Sequence, residues 1–318
     1  MKWIGSLFIA LVLVVISGGV FFNHVIYRAG PLQENAVVEI SRGVSSQKVA
    51  EILGERRVIA SPLWFRLLLK YRQADADLKA GEYLFPAHLT MVEVLEKLRR
   101  GDVLYHKFTI PEGYTVRQVM TQLMQEEMLE GDITQAPAEG DIFPETYTFQ
   151  KREQRAAIIE KAVSAMQRKL QEIWEQREEG LPYKNKQEML VMASIIEKET
   201  GVGDERAKVA SVFVNRLRKG MLLQTDPTVI YALTSGKEEL DRALTYKDLQ
   251  IDNPYNTYKY VGLPPTPICN PGEEAIYAAA HPAQTDYLYF VANGTGGHNF
   301  AKTLKEHNAN VAYWKTVR

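Results

Sequence analysis

The feature that most limits what this chain can fold into is an uncharged run near its N-terminus. Trp3 to Phe22 contains no charged side chain, and a helix of that length crosses the hydrocarbon core of a bilayer. A cleaved signal peptide is the alternative, but the run exceeds a usual signal core and no clear A-x-A cleavage site follows it. We therefore predict a cytoplasmic tail at 1–3 and a transmembrane anchor at 4–23.

The orientation of the anchor is predicted from the unequal lengths of chain on its two sides. Lys2 and Arg28 give little charge difference between the two ends of the run. A very short leading tail with a large trailing body favours export of the body. The predicted location is a single pass through the inner (cytoplasmic) membrane, with lipid contacts through 4–23 and the C-terminal body on the periplasmic or extracytoplasmic side.

The composition excludes several functional classes. The sequence has 38 Lys and Arg against 39 Asp and Glu, so the basic patch typical of nucleic-acid binding is not expected. Cys269 is the one cysteine, which excludes an internal disulfide and a cysteine zinc cluster. His281, His298 and His307 lack the spacing of a metal-binding pair on one helix face. The glycine-rich NGTGG turn lacks the G-K-[ST] ending of a phosphate loop, and we predict neither a metal nor a cofactor.

Two segments repeat one pattern at a constant offset of 70 residues. They are VEISRGVSSQKVAEIL and KFTIPEGYTVRQVMTQL, with matched pairs at Ile40/Ile110, Gly43/Gly113, Ser45/Thr115, Val49/Val119 and Leu53/Leu123. Each predicts a strand, a glycine turn and a helix capped by serine or threonine. The plan resembles the LysM module, a small domain that binds the N-acetyl sugars of cell walls. A spacer without glycan binding is the alternative, since strand–turn–helix units recur in many folds.

The stretch QEMLVMASIIEKET, Gln187 to Thr200, predicts a short apolar helix that ends before Gly201. At helical spacing it forms one apolar stripe, which consists of Met189, Met192, Ala193 and Ile196. Glu197 and Glu199 flank this stripe in the last turn, where the helix dipole and loss of solvent both raise the pKa of a carboxyl. A carboxyl that stays protonated near neutral pH can act as a general acid. Solvated charges at a helix end are the alternative, and helical geometry alone does not choose between the two glutamates.

The segment from Asp252 to Gly272, DNPYNTYKYVGLPPTPICNPG, is unusually rich in Asn, Tyr, Pro and Gly for a connection within a domain. Long irregular loops of this kind are usually functional or disordered. Tyrosine rings stack on pyranose faces and amides bond sugar hydroxyls, so the run from Tyr255 to Tyr260 suits sugar recognition. A proline-stiffened surface loop is the alternative.

Five ordered segments of the body carry a more specific signal. They are ASIIEKET, VASVFVNRLRKGMLLQTDPTVIY, YNTY followed by GLPP and CNPG, AAAHPA with YLYFVA, and GGHNF with EHN. Together they resemble the MltG (YceG-like) endolytic murein transglycosylases. The resemblance runs from about Val37 to the C-terminus and includes the single N-terminal anchor. One departure is Thr266 in GLPPTPI, where the family often has glycine, and it bears only on the backbone shape of that loop.

The resemblance implies a lytic transglycosylase, a lyase of cell-wall peptidoglycan. Its reaction is cleavage of the β-1,4 bond between N-acetylmuramic acid (MurNAc) and N-acetylglucosamine (GlcNAc) in nascent glycan strands, without water. The product carries a 1,6-anhydro-MurNAc end, and strand elongation would stop there. The catalytic glutamate of the family falls on Glu199, which would donate a proton to the leaving oxygen and then take one from the C6 hydroxyl. One acid suffices, because that tethered hydroxyl replaces the second carboxylate of an ordinary glycosidase.

The predicted fold class is α+β, with LysM-like strand and helix subdomains and a mixed catalytic domain that carries Glu199 on a helix. The predicted boundaries are 36–106 for a LysM-like domain, 107–180 for a second strand–helix unit with a long connecting helix, and 181–318 for the catalytic domain. Candidate substrate-binding residues at loop positions are Gln224, Thr225, Asp226, Tyr255, Asn256 and Tyr258. Family membership adds peptidoglycan glycan strands as substrate and peptidoglycan synthases as expected partners.

Two other functions stay open on the sequence. A water-using glycoside hydrolase of peptidoglycan would need a second carboxylate, from Asp226 or Glu197. An inactive, membrane-anchored glycan-binding scaffold would need no catalytic group, and the intact EKET segment argues against it. Only a transglycosylase yields anhydro-sugar ends, so product analysis separates the three.

Overall fold

The chain folds as two units, and the computed structural model describes residues 2–237 and 240–317. Unit 1 consists of 1–106 with 148–151, and unit 2 consists of 107–147 with 152–318. Some residues of the predicted segments lie outside the described part of the chain, namely Met1 of the 1–3 tail and Glu238, Glu239 and Arg318 of the 181–318 domain.

Unit 1 begins with a long apolar helix and continues as a two-stranded sheet with three further helices. Its elements are α1 (Lys2–Tyr27), β1 (Ala36–Ile40), α2 (Ser46–Glu55), α3 (Pro62–Arg72), β2 (Gly81–Phe85) and α4 (Met91–Arg100). β1 and β2 pair antiparallel, with Val38 opposite Tyr83. Apolar residues recur at helical spacing, so α2, α3 and α4 each bury one face in a core that contains Phe65, Tyr83 and Phe85.

The middle and the C-terminal end of α1 have different surroundings. The stretch Ser6–Tyr27 is long and apolar enough to cross a membrane, and the side chains along its middle are exposed. Near the C-terminal end, Val25 and Ile26 are buried in the core of unit 1. The ring of Phe22 packs edge-on against Tyr71, with centroids 5.9 Å apart. Helix α1 therefore runs without a break from an exposed apolar segment into the folded core.

The strands β3 (His106–Thr109) and β4 (Thr146–Phe149) form a second two-stranded sheet, and each contains a boundary between the units. Unit 2 otherwise consists mostly of helices. They are α5 (Val116–Gln125), α6 (Arg155–Glu175), α7 (Lys186–Glu199), α8 (Gly203–Arg218), α9 (Asp226–Thr234), α10 (Glu273–Ala280) and α11 (Leu304–Val317), with a 3-10 turn at Asp248–Gln250. The antiparallel hairpin of β5 (Tyr289–Ala292) and β6 (His298–Ala301) precedes α11. These helices and small sheets confirm the predicted mixed α+β class.

Both copies of the repeat form the predicted strand, glycine turn and capped helix. Gly43 and Gly113 take φ angles of +79° and +75°, a backbone conformation that a Cβ atom disfavours. The Ser45 hydroxyl caps α2, and the Thr115 hydroxyl caps α5. In both cases the hydroxyl accepts a hydrogen bond from a backbone N–H of the first turn, at 3.2 Å.

Helix α7 lies at the centre of the core of unit 2. Every residue from Met189 to Ile196 is buried, and α6, α8, α9 and α10 all pack against the helix. The single apolar stripe expected from the sequence is therefore too narrow, because neighbouring helices cover every side. The hydroxyl of Ser194 is accommodated there because it donates to the Val191 carbonyl at 2.7 Å. The helix ends at Glu199, one residue before the predicted boundary.

Candidate active site

The Glu199 carboxyl lies where the last turn of α7 meets the first turn of α9. Its Oε1 accepts a hydrogen bond from the hydroxyl of Thr225, the residue that precedes α9. The pKa of Glu199 is raised to about 7, chiefly by burial and also by the negative charge of Asp226. The Thr225 hydrogen bond and the positive charge of Arg216 act in the opposite direction. A carboxyl with this pKa can both donate and accept a proton near neutral pH, as general acid–base catalysis requires.

Thr225 is fixed by a buried group of threonines. Its side chain is only 1% exposed, and its backbone N–H donates to the Thr257 hydroxyl at 3.1 Å. The Thr228 hydroxyl, one turn into α9, donates to the Thr225 carbonyl at 2.8 Å and lies 2.9 Å from the Thr257 hydroxyl. The preceding residue, Gln224, takes a φ of +51° and is exposed. Thr225, whose hydroxyl contacts Glu199, is therefore held by hydrogen bonds to Thr228 in α9 and to Thr257 in the long loop.

Asp226 supplies a second carboxylate close to Glu199. It is exposed and begins α9, where the helix dipole favours a negative charge. The Tyr258 hydroxyl donates to its Oδ1 at 2.6 Å. Burial raises the pKa of Tyr258, and the bond to Asp226 raises it further, so the phenol keeps its proton. Thr225, Asp226 and Tyr258, three of the predicted substrate-binding residues, are thus brought together beside Glu199.

A stack of Arg216, Tyr289 and His307 borders the same site, and the sequence prediction did not include these residues. The Arg216 guanidinium lies over the Tyr289 ring at 5.2 Å and donates to the carbonyls of Leu223 and Leu288 at 2.8 and 2.7 Å. The His307 ring stacks on Tyr289 with centroids 5.2 Å apart. Burial and the charge of Arg216 lower the pKa of His307, whose buried Nδ1 has no hydrogen-bond partner within 2–237 and 240–317.

A signal for Arg216 was present in the sequence. Val209, Val212 and Phe213 mark the buried face of α8, and a residue at position 216 falls on that same face at helical spacing. Arg216 is accordingly only 8% exposed. A buried arginine needs hydrogen-bond acceptors or a negative charge nearby, so its position on this face could have indicated a functional site. No local pattern places Tyr289 or His307 beside it, because they come from the hairpin and from α11.

Glu197 has different surroundings from Glu199. Its Oε2 accepts from the Gly272 N–H at 3.0 Å, at the N-terminus of α10. Burial raises the pKa of Glu197, and the charge of Glu112 raises it further, while the bond from Gly272 lowers it. The two glutamates, which helical spacing does not distinguish, therefore differ in their partners. Glu197 accepts from the backbone N–H of Gly272 at a helix N-terminus, whereas Glu199 bonds to a side-chain hydroxyl next to a second acid.

The remaining two candidate residues hold the long loop together. Asn256 is fully buried, and its amide nitrogen donates to two carbonyls of the 3-10 turn and its end, at 3.1 and 2.8 Å. Tyr255 is half-buried against the Tyr231 ring, with centroids 4.9 Å apart. Its hydroxyl lies 2.6 Å from that of Thr266. Asn256 and Tyr255 therefore make hydrogen bonds and ring contacts within the fold.

The three histidines considered as metal ligands are dispersed. Among residues 2–237 and 240–317, no group of three or more His, Cys, Asp or Glu side chains could hold a metal ion. His281 hydrogen-bonds the Gln176 carbonyl at 2.9 Å, and His298 Nδ1 lies 2.7 Å from a Glu205 carboxylate oxygen.

Comparison with known proteins gives consistent matches. A family model described as the YceG-like family matches residues 38–313. A protein of Bacillus subtilis (strain 168) named endolytic murein transglycosylase is 38% identical over 305 residues, which is 85% of this chain and 82% of that protein. A protein of the same name from Streptococcus pneumoniae serotype 2 (strain D39 / NCTC 7466) is 28% identical, over 96% of this chain and 64% of that protein. A crystal structure of a YceG-like protein from Listeria monocytogenes matches with a TM-score of 0.53 and 35% identity, covering 87% of this chain and 99% of that chain.

Proposed function

Since the chain belongs to the YceG-like family, we propose that it is a murein lytic transglycosylase with Glu199 as its acid–base group. The substrate is the glycan strand of peptidoglycan, and the bond cleaved is the β-1,4 bond that follows MurNAc. The observation that carries the proposal is the Glu199 carboxyl, with a pKa of about 7 at the end of a buried helix. Relatives named endolytic murein transglycosylase support the reaction class.

The reaction needs one proton donor and returns it to its starting state. Protonated Glu199 gives its proton to the glycosidic oxygen while the bond from MurNAc C1 to that oxygen breaks and its electron pair leaves with GlcNAc. The MurNAc C6 hydroxyl attacks C1, and the ionised Glu199 takes the hydroxyl proton. The product is a 1,6-anhydro ring, and Glu199 is protonated again. Because the nucleophile is tethered, positioning supplies much of the rate that a second carboxylate would otherwise provide.

Neighbouring residues keep Glu199 near the midpoint of its titration. The charge of Asp226 favours the protonated form needed for the first step. The Thr225 hydroxyl stabilises the carboxylate that exists between the two steps. We place the exposed Gln224 and Asp226 and the half-buried Tyr258 on the substrate side, whereas Asn256 shapes the loop. This division follows from exposure and from the hydrogen bonds already described.

Hydrolysis is the second candidate, because Asp226 is close enough to change the pKa of Glu199. As a general base, Asp226 would activate a water instead of the C6 hydroxyl.

The test of the proposal is the product of cleavage by the wild-type chain and by the E199Q and E197Q variants, measured by mass spectrometry. We expect anhydro-MurNAc ends from wild type and E197Q and none from E199Q. Reducing MurNAc ends from the wild type, or anhydro ends from E199Q, would refute it.

We further propose that α1 is an uncleaved membrane anchor with the body outside the cytoplasm. The apolar stretch Ser6–Tyr27 has the required length. Removal of a leader after this stretch would also remove Val25 and Ile26, which are buried in the core of unit 1. Anchoring would hold the enzyme in the same membrane as peptidoglycan synthases, its expected protein partners.

Unit 1 is our candidate for LysM-like glycan binding. A cavity of about 260 Å³ lies between the turn after β1 and the segment before β2, and Gly43, Ser45 and Ala76 line it. We expect an Ala76→Trp substitution at this exposed position to reduce retention on purified cell-wall sacculi. Ala60→Trp, which places the same side chain at an exposed position away from the cavity, is the matched control. Equal retention of both variants and wild type would make unit 1 a spacer.

A further inference from the structure

A second cavity, of about 220 Å³, lies in unit 2 and is lined by chain neighbours of Glu199 and Asp226. Lys198, which precedes Glu199, and Pro227, which follows Asp226, both contribute to its wall. Glu199 and Asp226 themselves do not. The ends of α7 and α9 that form the catalytic site therefore also form part of this cavity.

Two of the side chains that line the cavity, Lys198 and Gln118, offer hydrogen-bond donors. Lys198 is the one charged side chain among the described residues that line it, and its Nζ is 3.5 Å from the Gly113 carbonyl, at the outer limit of a hydrogen bond. The Gln118 Oε1 accepts the Thr115 N–H at 2.9 Å in the cap of α5, which leaves the amide nitrogen to donate elsewhere. An ammonium and an amide N–H together suit a carboxylate.

The rest of the wall combines aliphatic side chains with Thr115, Tyr231 and Thr234, whose hydroxyls donate hydrogen bonds within the fold. Ile230, Leu240 and Ile268 contribute aliphatic surface. The Thr115 hydroxyl donates to the Gly236 carbonyl at 2.6 Å, which ties the start of α5 to the turn after α9. A ligand that fits this lining has small aliphatic groups next to a carboxylate.

We propose that this cavity binds the C-terminal D-alanyl carboxylate of the peptide stem carried by murein, with Lys198 as its charge partner. This inference rests on the proposed function, because it assumes a murein substrate. Uncrosslinked stems end in alanine residues, whose methyl groups match the aliphatic wall. Five extended residues span at most about 17 Å. A stem attached to the MurNAc at Glu199 can therefore reach a cavity lined by the adjacent residue, and unprocessed strands would be selected over strands without stems.

The first test is equilibrium binding to the full-length chain in detergent, measured by NMR titration. The probes are the pentapeptide L-Ala-D-Glu-L-Lys-D-Ala-D-Ala and its C-terminal amide. We expect the wild type to bind the acid about ten-fold more tightly than the amide, the size of effect that one charged hydrogen bond gives. Lys198→Met should bind both forms with equal, reduced affinity, and Lys198→Arg should retain the preference. Ile230→Phe, which fills the cavity without changing charge, should weaken both forms alike.

The second test separates this inference from the proposed function. The ratio of kcat/KM on peptide-bearing strands to kcat/KM on strands stripped of peptide is measured for wild type and Lys198→Met. We expect the ratio to fall about ten-fold in the variant. An unchanged ratio, or a wild-type chain that binds acid and amide equally, would overturn the peptide site even if anhydro ends are formed. If the chain binds the pentapeptide acid preferentially but forms no anhydro ends, the peptide site is upheld and the transglycosylase activity is refuted.

Discussion

Because the pKa of Glu199 is raised, we predict that replacing its carboxyl by an amide stabilises the folded protein at alkaline pH. The pKa rises from an ordinary 4.5 to about 7 on folding, chiefly because the carboxyl loses solvent. Each pKa unit corresponds to about 1.4 kcal/mol of preference for the protonated form. Because the side chain keeps some exposure, we expect the ionised form to cost about 2–3 kcal/mol of folding free energy.

The sign of this effect fixes its pH window. The folded state binds the proton more tightly than the unfolded state, so the cost is absent below about pH 4.5. It grows as pH rises through the interval between the two pKa values, and it is fully present above about pH 7. Glu199→Gln keeps an oxygen to accept from Thr225 but never ionises. It should therefore be more stable than wild type at pH 8 and similar to it at pH 4.5.

The assay is thermal unfolding of full-length wild type and E199Q in detergent at the two pH values, with the transition of unit 2 followed by calorimetry. For a unit of this size, about 1 kcal/mol corresponds to roughly 2–4 °C. The control is Glu160→Gln, which removes an exposed glutamate from α6 and should show no gain that depends on pH. A variant E199Q that is equally stable or less stable than wild type at pH 8 would refute the claim that the carboxyl is buried at a cost.

Three further predictions concern Asp226, Glu197 and the topology of the membrane anchor. Asp226→Asn removes a negative charge beside Glu199, so the pKa of Glu199 should fall. The alkaline limb of the kcat/KM profile should therefore move to lower pH by up to about one pH unit. A shift to higher pH would contradict the electrostatic role of Asp226. Glu197→Gln should still form anhydro ends and lose no more than about 1 kcal/mol in denaturant unfolding, because the amide can still accept at the start of α10; a variant without activity would reverse the assignment. A C-terminal reporter that is active only in the cytoplasm should be silent, and activity would show that the topology is wrong.

The local elements were predictable because their signals are contained in short stretches of sequence. Capping residues and glycine turns placed the helices that follow Ser45 and Thr115, and the apolar run placed α7 with Glu199 at its end. The pattern also predicted a raised pKa from loss of solvent. It could not show that α7 is surrounded on all sides, because its neighbours α6, α8, α9 and α10 come from both directions along the chain.

The partners of the two glutamates were not predictable for the same reason. The choice between Glu197 and Glu199 depends on Gly272 and Thr225, which are brought to the helix by the tertiary fold. Sequence reasoning also treated the Asn and Tyr side chains of the long loop as free to bind sugar. Asn256 instead serves the loop itself, since a buried amide must satisfy its own hydrogen bonds.

The central claim is that Glu199 drives cleavage with the substrate's own hydroxyl instead of water. The most direct measurement is mass spectrometry of glycan fragments released by the wild-type enzyme in water labelled with heavy oxygen. We expect new MurNAc ends that are lighter than a reducing sugar by one water and carry no label. Reducing MurNAc ends that contain heavy oxygen would contradict it, and would make Asp226 the base that activates water.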